Sequence, residues 1–342
     1  MGYLENLPAE LLFLIVDQLD RYDLMNLRVV HRRFSFVNPR VFKVMRFYNE
    51  PTVPVKLRKL LKREDMRSAL DEIIFSTDSL FRGYNRHDAA LRLKRVARLL
   101  ANHDDVNIKT VHLVGDSGGL GLLLRYFAEA GIRSLRYLSG AIIFRHHEIN
   151  EEWLPHLMDE SGVLEVLGGL ERLDLTLNNR SGFISHPRGF SPHDFPNIYS
   201  IMAATPSLTE LLLKGIEGQD FSDMLGCFMF FRRRSAFPPR LRKVTVERCH
   251  TPLSFLTRII NHPSIEDVTL SSVSLILDRS EGIDARRYYI RKWQDFLEAF
   301  SDIYYDGEET RKRLTVGELW ERGNLATIDV NHLLGVTLLD PN

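Results

Sequence analysis

Cysteine is scarce: Cys227 and Cys249 are the two present in 342 residues. That excludes a disulfide-stapled fold and a structural zinc site built mainly of thiolates, and it points to a reducing compartment, cytoplasmic or nuclear. A surplus of one charge is also missing. Forty-five Lys and Arg face 45 Asp and Glu, for a formal net charge of zero. Nucleic-acid binding, which leans on neutralising many phosphates, therefore has no global electrostatic source, and acidic membrane surfaces are disfavoured likewise. No apolar run reaches the roughly 18 residues of a spanning helix. The amino terminus sets Glu5 and Glu10 around an apolar run that ends at Asp17, without the basic, apolar, small-residue order of a signal peptide. Asn179-Arg180-Ser181 is formally a glycosylation acceptor, and without a secretory route it reads as an ordinary loop. With 44% hydrophobic and 26% charged residues, the composition is that of a globular chain rather than a low-complexity one. Its length leaves room for about two domains.

The first 48 residues read as a compact helical module. Leu7-Pro8-Ala9-Glu10 opens a helix, with Pro tolerated in the first turn and Glu10 complementing the partial positive charge there. Leu11, Leu12, Ile15, Val16 and Leu19 recur at helical spacing. A second helix starts at a capping Asp23, places Leu27, Val30 and Phe34 on one side, and stops before Asn38-Pro39. A third apolar segment covers Val41 to Met45. Phe13, Leu14, Leu24 and Met25 lie beyond a single stripe, and so small a module has little interior to hide them. Some of that surface should want a partner.

The run Leu7-Pro8-x-Glu10-Leu11-Leu12-x-x-Ile15-x3-Leu19-x3-Asp23-Leu24-x-x-Leu27-Arg28-x-Val30-x-Arg32-Arg33-Phe34 closely resembles the F-box. The resemblance implies a helical hook that docks on the Skp adaptor and, through it, on a cullin-based ubiquitin ligase. At matching positions it implies that Leu7, Pro8, Leu11, Ile15, Leu19, Leu24 and Leu27 supply the adaptor-facing or hook-forming apolar surface. The alternative is that these helices are merely the first elements of one larger core.

Pro51 and Pro54 mark a linker, followed by a helix with Lys56, Arg58, Lys59, Lys62 and Arg63 among Leu57, Leu60 and Leu61. Such interleaving reads as one solvated face rather than a nucleic-acid patch. Another helix beyond Asp88 presents Leu93, Val96, Ala97 and Leu100. Residues 49–104 thus read as a helical linker and cap. From residue 108 an apolar-x-x-apolar-x-apolar signature recurs: Ile108/Val111/Leu113, Ile132/Leu135/Tyr137, Leu170/Leu173/Leu175, Leu208/Leu211/Leu213, Leu241/Val244/Val246 and Ile265/Val268/Leu270, with a looser copy at Leu325/Ile328/Val330. Pro206, Pro239 and Pro263 precede three copies at the same offset. Asn178 and Cys249 fall where a leucine-rich repeat has Asn or Cys. Helical patterns lie between the copies, including Leu253/Leu256/Ile259/Ile260 and Tyr289/Trp293/Phe296/Leu297/Phe300. Each unit leaves apolar faces that only a neighbour can cover. Residues 105–342 therefore resemble an irregular leucine-rich-repeat solenoid, with an insertion at Asn178 to His193, and the fold class reads as α/β: a helical hook, then parallel strands.

No motif carries convincing chemistry. Gly115-Asp116-Ser117-Gly118-Gly119 is similar to a serine-protease nucleophile segment, yet no upstream segment supplies the base a serine needs, so a glycine-rich turn explains it. The same glycines lack the Lys-Ser/Thr of a phosphate loop. His146-His147-Glu148 and His103-Asp104-Asp105 have no distant partner pair, so no metal and no cofactor is expected. Arg232-Arg233-Arg234 reads as a solvated loop. Cys227 and Cys249 read as core.

These readings converge on a non-enzymatic substrate receptor: the hook joins the Skp adaptor and cullin, and the repeats hold an unknown protein substrate. Alternation along strands turns Thr110, His112, Ser134, Arg136, Arg172, Asp174, Thr176, Glu210, Lys214, Lys243, Thr245, Glu247, Asp267 and Thr269 outward. Of these, Arg136, Arg172, Asp174, Glu210, Lys214, Lys243 and Glu247 are the candidate substrate contacts. Leu212, apolar at an outward position, is a candidate anchor. Alternatives are a repeat scaffold, an adaptor-bound protein acting without cullin, and a hydrolase using Ser117.

Overall fold

The computed structural model describes residues 7–48, 51–76, 86–114, 120–144, 161–179, 204–215, 238–276, 291–298, 313–317, 319–321 and 324–328. Two compact units make up the chain, Met1–Leu135 and Arg136–Asn342. The fold is mixed α/β: a helical amino-terminal region, then nine parallel strands with their helices.

In the first unit, α1 (Ala9–Gln18) and α2 (Arg21–Val30) lead into a 3-10 turn (Arg32–Val37) and α3 (Asn38–Phe42). The cap of α2 is Asp20, whose carboxylate accepts from the Asp23 amide at 2.8 Å, so the expected cap Asp23 sits in the first turn instead. Nor does Asn38-Pro39 end α2. His31 ends it and caps the 3-10 turn, and Asn38-Pro39 begins α3, where a proline costs no hydrogen bond. Val16, Leu24, Val37 and Val41 form the core of this hook, with Leu19, Leu27, Phe36 and Phe42 packed against it.

Three parallel strands come next in this unit: β1 (Val44–Phe47), β2 (Glu72–Ser76) and β3 (Thr110–Val114). Helices α4 (Val53–Leu61), α5 (Glu64–Arg67), α6 (Arg86–Ala101) and α7 (Leu120–Ala130) accompany them. Strands therefore begin well before residue 108. Leu70/Ile73/Phe75, all buried, is a full copy of the signature inside the region read as a helical linker and cap. Pro54 lies in the first turn of α4 rather than in a linker. The hook is fastened to α5 and to the start of β1. Asn38 Nδ2 donates to Asp65 Oδ2 at 2.6 Å, and the Arg21 guanidinium donates to the carbonyls of Val41 and Val44.

The second unit holds β4 (Tyr137–Phe144), β5 (Arg172–Asn179), β6 (Glu210–Gly215), β7 (Lys243–Glu247), β9 (Asp267–Ser271) and β11 (Arg313–Val316), paired in that order, all parallel. Its register stacks like on like: Leu173, Leu211, Val244, Val268 and Leu314 form one row, and Leu175, Leu213, Val246, Leu270 and Val316 the next. Leu170, Leu208, Leu241 and Ile265, three residues ahead of the first row, are all buried. Helices α8 (Ser161–Gly168), α9 (Leu253–Ile260) and α10 (residues 291–298) add Val166, Leu167, Phe255, Ile259, Trp293 and Phe296 to the interior.

The strand register shifts two copies from the positions that periodicity gives them. Tyr137 pairs with Arg172, so the true second copy is Leu135/Leu138/Gly140, and Tyr137 belongs to the outward set. The last parallel strand is β11, with Leu314 and Val316. Asn324–Ile328 (β13), holding Leu325 and Ile328, pairs antiparallel with Leu319–Glu321 (β12). Arg248 and Ser272, at matching positions after β7 and β9, both take left-handed backbone with φ of 52° and 54°. That bend redirects each chain into a short strand, β8 (His250–Pro252) and β10 (Ser274–Ile276), which pair in parallel. Serine has a recurring place as well: Ser134 Oγ donates to the Ile108 carbonyl (2.8 Å) and Ser264 Oγ to the Leu241 carbonyl (3.0 Å), each tying one copy to its predecessor.

Candidate functional site

The hook leaves an apolar surface uncovered. Helix α1 buries Leu12 and Val16 and exposes Leu11, Phe13, Leu14 and Ile15; α2 buries Leu24 and exposes Tyr22, Met25, Val29 and Val30. Eight of the thirteen exposed large hydrophobic side chains among the described residues thus fall on two short helices. Scattered apolar exposure is ordinary, but concentration of this kind makes these two helices a candidate interface.

The seven residues assigned to the adaptor divide into two groups. Leu11 and Ile15 are exposed at 47% and 37%, Pro8 is exposed, and Leu7 is half-buried with its carbonyl accepting from Arg33 (3.1 Å). Leu19 and Leu27 are half-buried against the hook core, and Leu24 is inside it. These three shape the hook from within, packed with Val37 of the 3-10 turn and Val41 of α3. Val30, expected on one side of the helix with Leu27 and Phe34, is exposed at the end of α2, whereas Phe34 lies buried beyond it. The sequence reading missed Tyr22 and Val29; their place on α2 opposite Leu24 was the available signal.

The second candidate site is the set of alternate strand positions in the second unit that lie between the apolar rows. Three columns cross the strands. The first runs Tyr137, Arg172, Glu210, Lys243, Asp267, Arg313; the second Ser139, Asp174, Leu212, Thr245, Thr269, Thr315; the third Ala141, Thr176, Lys214, Glu247, Ser271. Arg172, Asp174, Glu210, Leu212, Lys214, Lys243 and Glu247 therefore share one face, as alternation requires. Arg136 does not join them. It precedes β4, where it lies 3.6 Å from Glu171 and donates to the Gly169 carbonyl. The same three-residue slip accounts for Ser134, whose hydroxyl is spent on the backbone.

Charge in the first column alternates, and much of it is paired. Arg172 forks onto Asp174 through two bonds (3.1 and 3.0 Å), lies 3.6 Å from Glu210, and stacks on the Tyr137 ring at 4.6 Å. The Asp174 hydrogen bonds, above all, hold Arg172 still more firmly in its charged form. Tyr137 Oη donates to the same carboxylate. Asp267 accepts a fork from Arg313 (2.7 and 3.0 Å), and Lys214 lies 3.5 Å from Glu247. Between these rails the second column is neutral from Leu212 to Thr315. The face thus sets paired charges on either side of a largely neutral column.

Reactive chemistry has little support among the described residues. Asp105 is engaged with Arg67 at 2.6 Å, which lowers its pKa below the usual carboxylate range, and no group of three His, Cys, Asp or Glu residues could hold a metal there. Ser117 and its flanking glycines, His146-His147-Glu148, Cys227 and Arg232-Arg233-Arg234 lie outside the described residues. Cys249 is buried, its thiol facing the Glu247 carbonyl at 3.1 Å, and burial pushes its pKa up to about 12. Native protein at pH 8 should thus leave Cys249 unmodified by iodoacetamide, with labelling appearing on unfolding, as peptide mass spectrometry would show. Rapid labelling of the native chain would contradict the burial. The linkage has a definite sign: the unfolded thiol ionises near 9 and the folded one near 12, so this group's contribution to stability falls as pH rises through that window.

A small helical hook with an uncovered apolar face thus precedes the recurring parallel strands. Comparison with known families gives the hook its identity: residues 4–37 match the F-box domain. The chain thus carries an F-box domain; such domains are in general found in Skp-binding ubiquitin-ligase adaptors rather than in enzymes. No curated protein matches the chain.

Proposed function

We propose that this chain is the substrate-recognition subunit of a Skp–cullin–F-box ubiquitin ligase. The F-box docks on the Skp adaptor, the adaptor brings cullin, and the leucine-rich-repeat-like strands of the second unit present a protein target. The function is positional: it raises the effective concentration of target lysines near a ubiquitin-charged enzyme. One observation carries this reading, the apolar face of α1 and α2 that the hook's own core leaves uncovered. The Asn38–Asp65 bond supports it, since a receptor gains from a hook held firmly against its neighbouring helices. The reading suits a cytoplasmic or nuclear protein.

On the strand face, Leu212 is the proposed anchor, with Arg172, Asp174, Glu210, Lys214, Lys243 and Glu247 around it. Affinity enrichment of the intact chain from cells, read by mass spectrometry, is expected to yield Skp adaptor, cullin and a target. Leu212→Asp should lose the target and keep Skp and cullin. Adaptor without cullin, or a target indifferent to Leu212→Asp, would overturn the corresponding part of the proposal.

A further inference from the structure

Cations on the strand face of the second unit have close acidic neighbours; on one helical face of the first unit they do not. Helix α4 (VPVKLRKLL) carries no acidic residue, and α6 (RHDAALRLKRVARLLA) has Asp88 alone, in its first turn. The two helices pack on each other. Burial of Val53, Leu57 and Leu61 on α4 and of Leu93, Val96, Ala97 and Leu100 on α6 turns Arg58, Lys59, Arg95 and Arg98 to solvent, with Lys62 exposed at the end of α4. Cations around this group are matched: Lys94 by Glu129 of α7 (2.6 Å), Arg63 by Asp65 (2.9 Å) and Arg67 by Asp105 (2.6 Å). Arg58, Lys59, Lys62, Arg95 and Arg98 make no ion pair with any described residue. In a chain of zero net charge, five cations on two packed helices, none paired with a described residue, make a locally positive surface that an anionic partner would neutralise.

We propose that the α4–α6 face binds an acidic segment of a partner protein, rich in Asp and Glu and interspersed with aliphatic residues. The charge complementarity comes from Arg58, Lys59, Lys62, Arg95 and Arg98. Val55 and Leu91, exposed on the same two helices at 57% and 39%, offer apolar contact to the aliphatic residues. Single-stranded nucleic acid is less well matched, because neither helix carries a Phe, Tyr or Trp on which a base could stack. This face shares no residue with the hook surface or the strand face, so it stands apart from the receptor function proposed for those two.

The test uses the full chain bound to the Skp adaptor and a fluorescein-labelled peptide alternating Glu-Asp pairs with Leu. Controls are the Gln-Asn counterpart peptide, polyuridine RNA and phosphatidylserine vesicles. Anisotropy is expected to show binding of the acidic peptide, at least about tenfold weaker for its amide counterpart and for K59Q/K62Q/R95Q/R98Q, and falling with added salt. The charge-retaining K59R/K62R/R95K/R98K variant should bind nearly as wild type, and all variants should keep the adaptor. Equal affinity for acidic and amide peptides, equal binding by the glutamine variant, or preference for RNA or vesicles would each overturn the proposal.

Discussion

Leu11→Asp combined with Ile15→Asp abolishes capture of the Skp adaptor and leaves the chain folded: that is the largest functional effect expected of any surface change. Both side chains are exposed on α1, outside the core of Val16, Leu24, Val37 and Val41, so neither is needed to build the hook. At an apolar interface, losing each central aliphatic costs about 2 kcal/mol or more, and setting an unpaired carboxylate there costs more still. Together these predict a drop of about a thousandfold or greater in affinity. Leu24→Ala, one helix away, should behave differently. Leu24 is 5% exposed within the core, so its truncation costs about 2–5 kcal/mol of hook stability. Adaptor binding is then lost through melting, visible as reduced helical signal on mild heating. Retained capture by the double aspartate variant would refute the assignment of this face.

The second large effect concerns three consecutive leucines on β6. Leu211→Ala and Leu213→Ala should each destabilise the second unit by about 2–5 kcal/mol, because both sit in the buried rows and are essentially inaccessible. Leu212→Ala should cost about 1 kcal/mol or less, since this side chain stands half-exposed among Asp174 and Thr245. Denaturant titration separates these outcomes, the midpoint shifting strongly for the outer two and little for the middle one. The order 211, 213, then 212 follows from strand alternation alone. Three equal losses would mean that the strand face is covered.

How far the sequence led can be traced residue by residue. Hook and strands were legible because each writes a period: Leu12 and Val16 on α1, and the apolar-x-x-apolar-x-apolar rows from Leu170 to Leu270. The failures have physical causes. At β4 the signature slipped by three because Ile132, Leu135, Tyr137 and Leu138 satisfy two alignments, and the true third position is Gly140, which has no side chain to announce it. At β2, apolar Ile74 fills the gap between Ile73 and Phe75 and masks the alternation. The last copy is at Leu314 rather than at Leu325; short strands of similar composition occur in both places, and only pairing tells parallel from antiparallel. At the interface, exposure decided matters that spacing could not. Leu11, Leu12, Ile15, Val16 and Leu19 recur at one helical spacing, yet Leu11 and Ile15 face solvent while Leu12 and Val16 are buried.

Amide hydrogen exchange of the full chain, with and without purified Skp adaptor, tests the central claim without altering a residue. Uncovered short helices open readily, and a partner that covers them suppresses the opening. The expected result is slowed exchange at Ala9–Gln18 and Arg21–Val30, together with unchanged exchange at Arg172–Asn179 and Glu210–Gly215. Unchanged exchange in α1 and α2 at saturating adaptor would contradict the account, and so would protection confined to the strands.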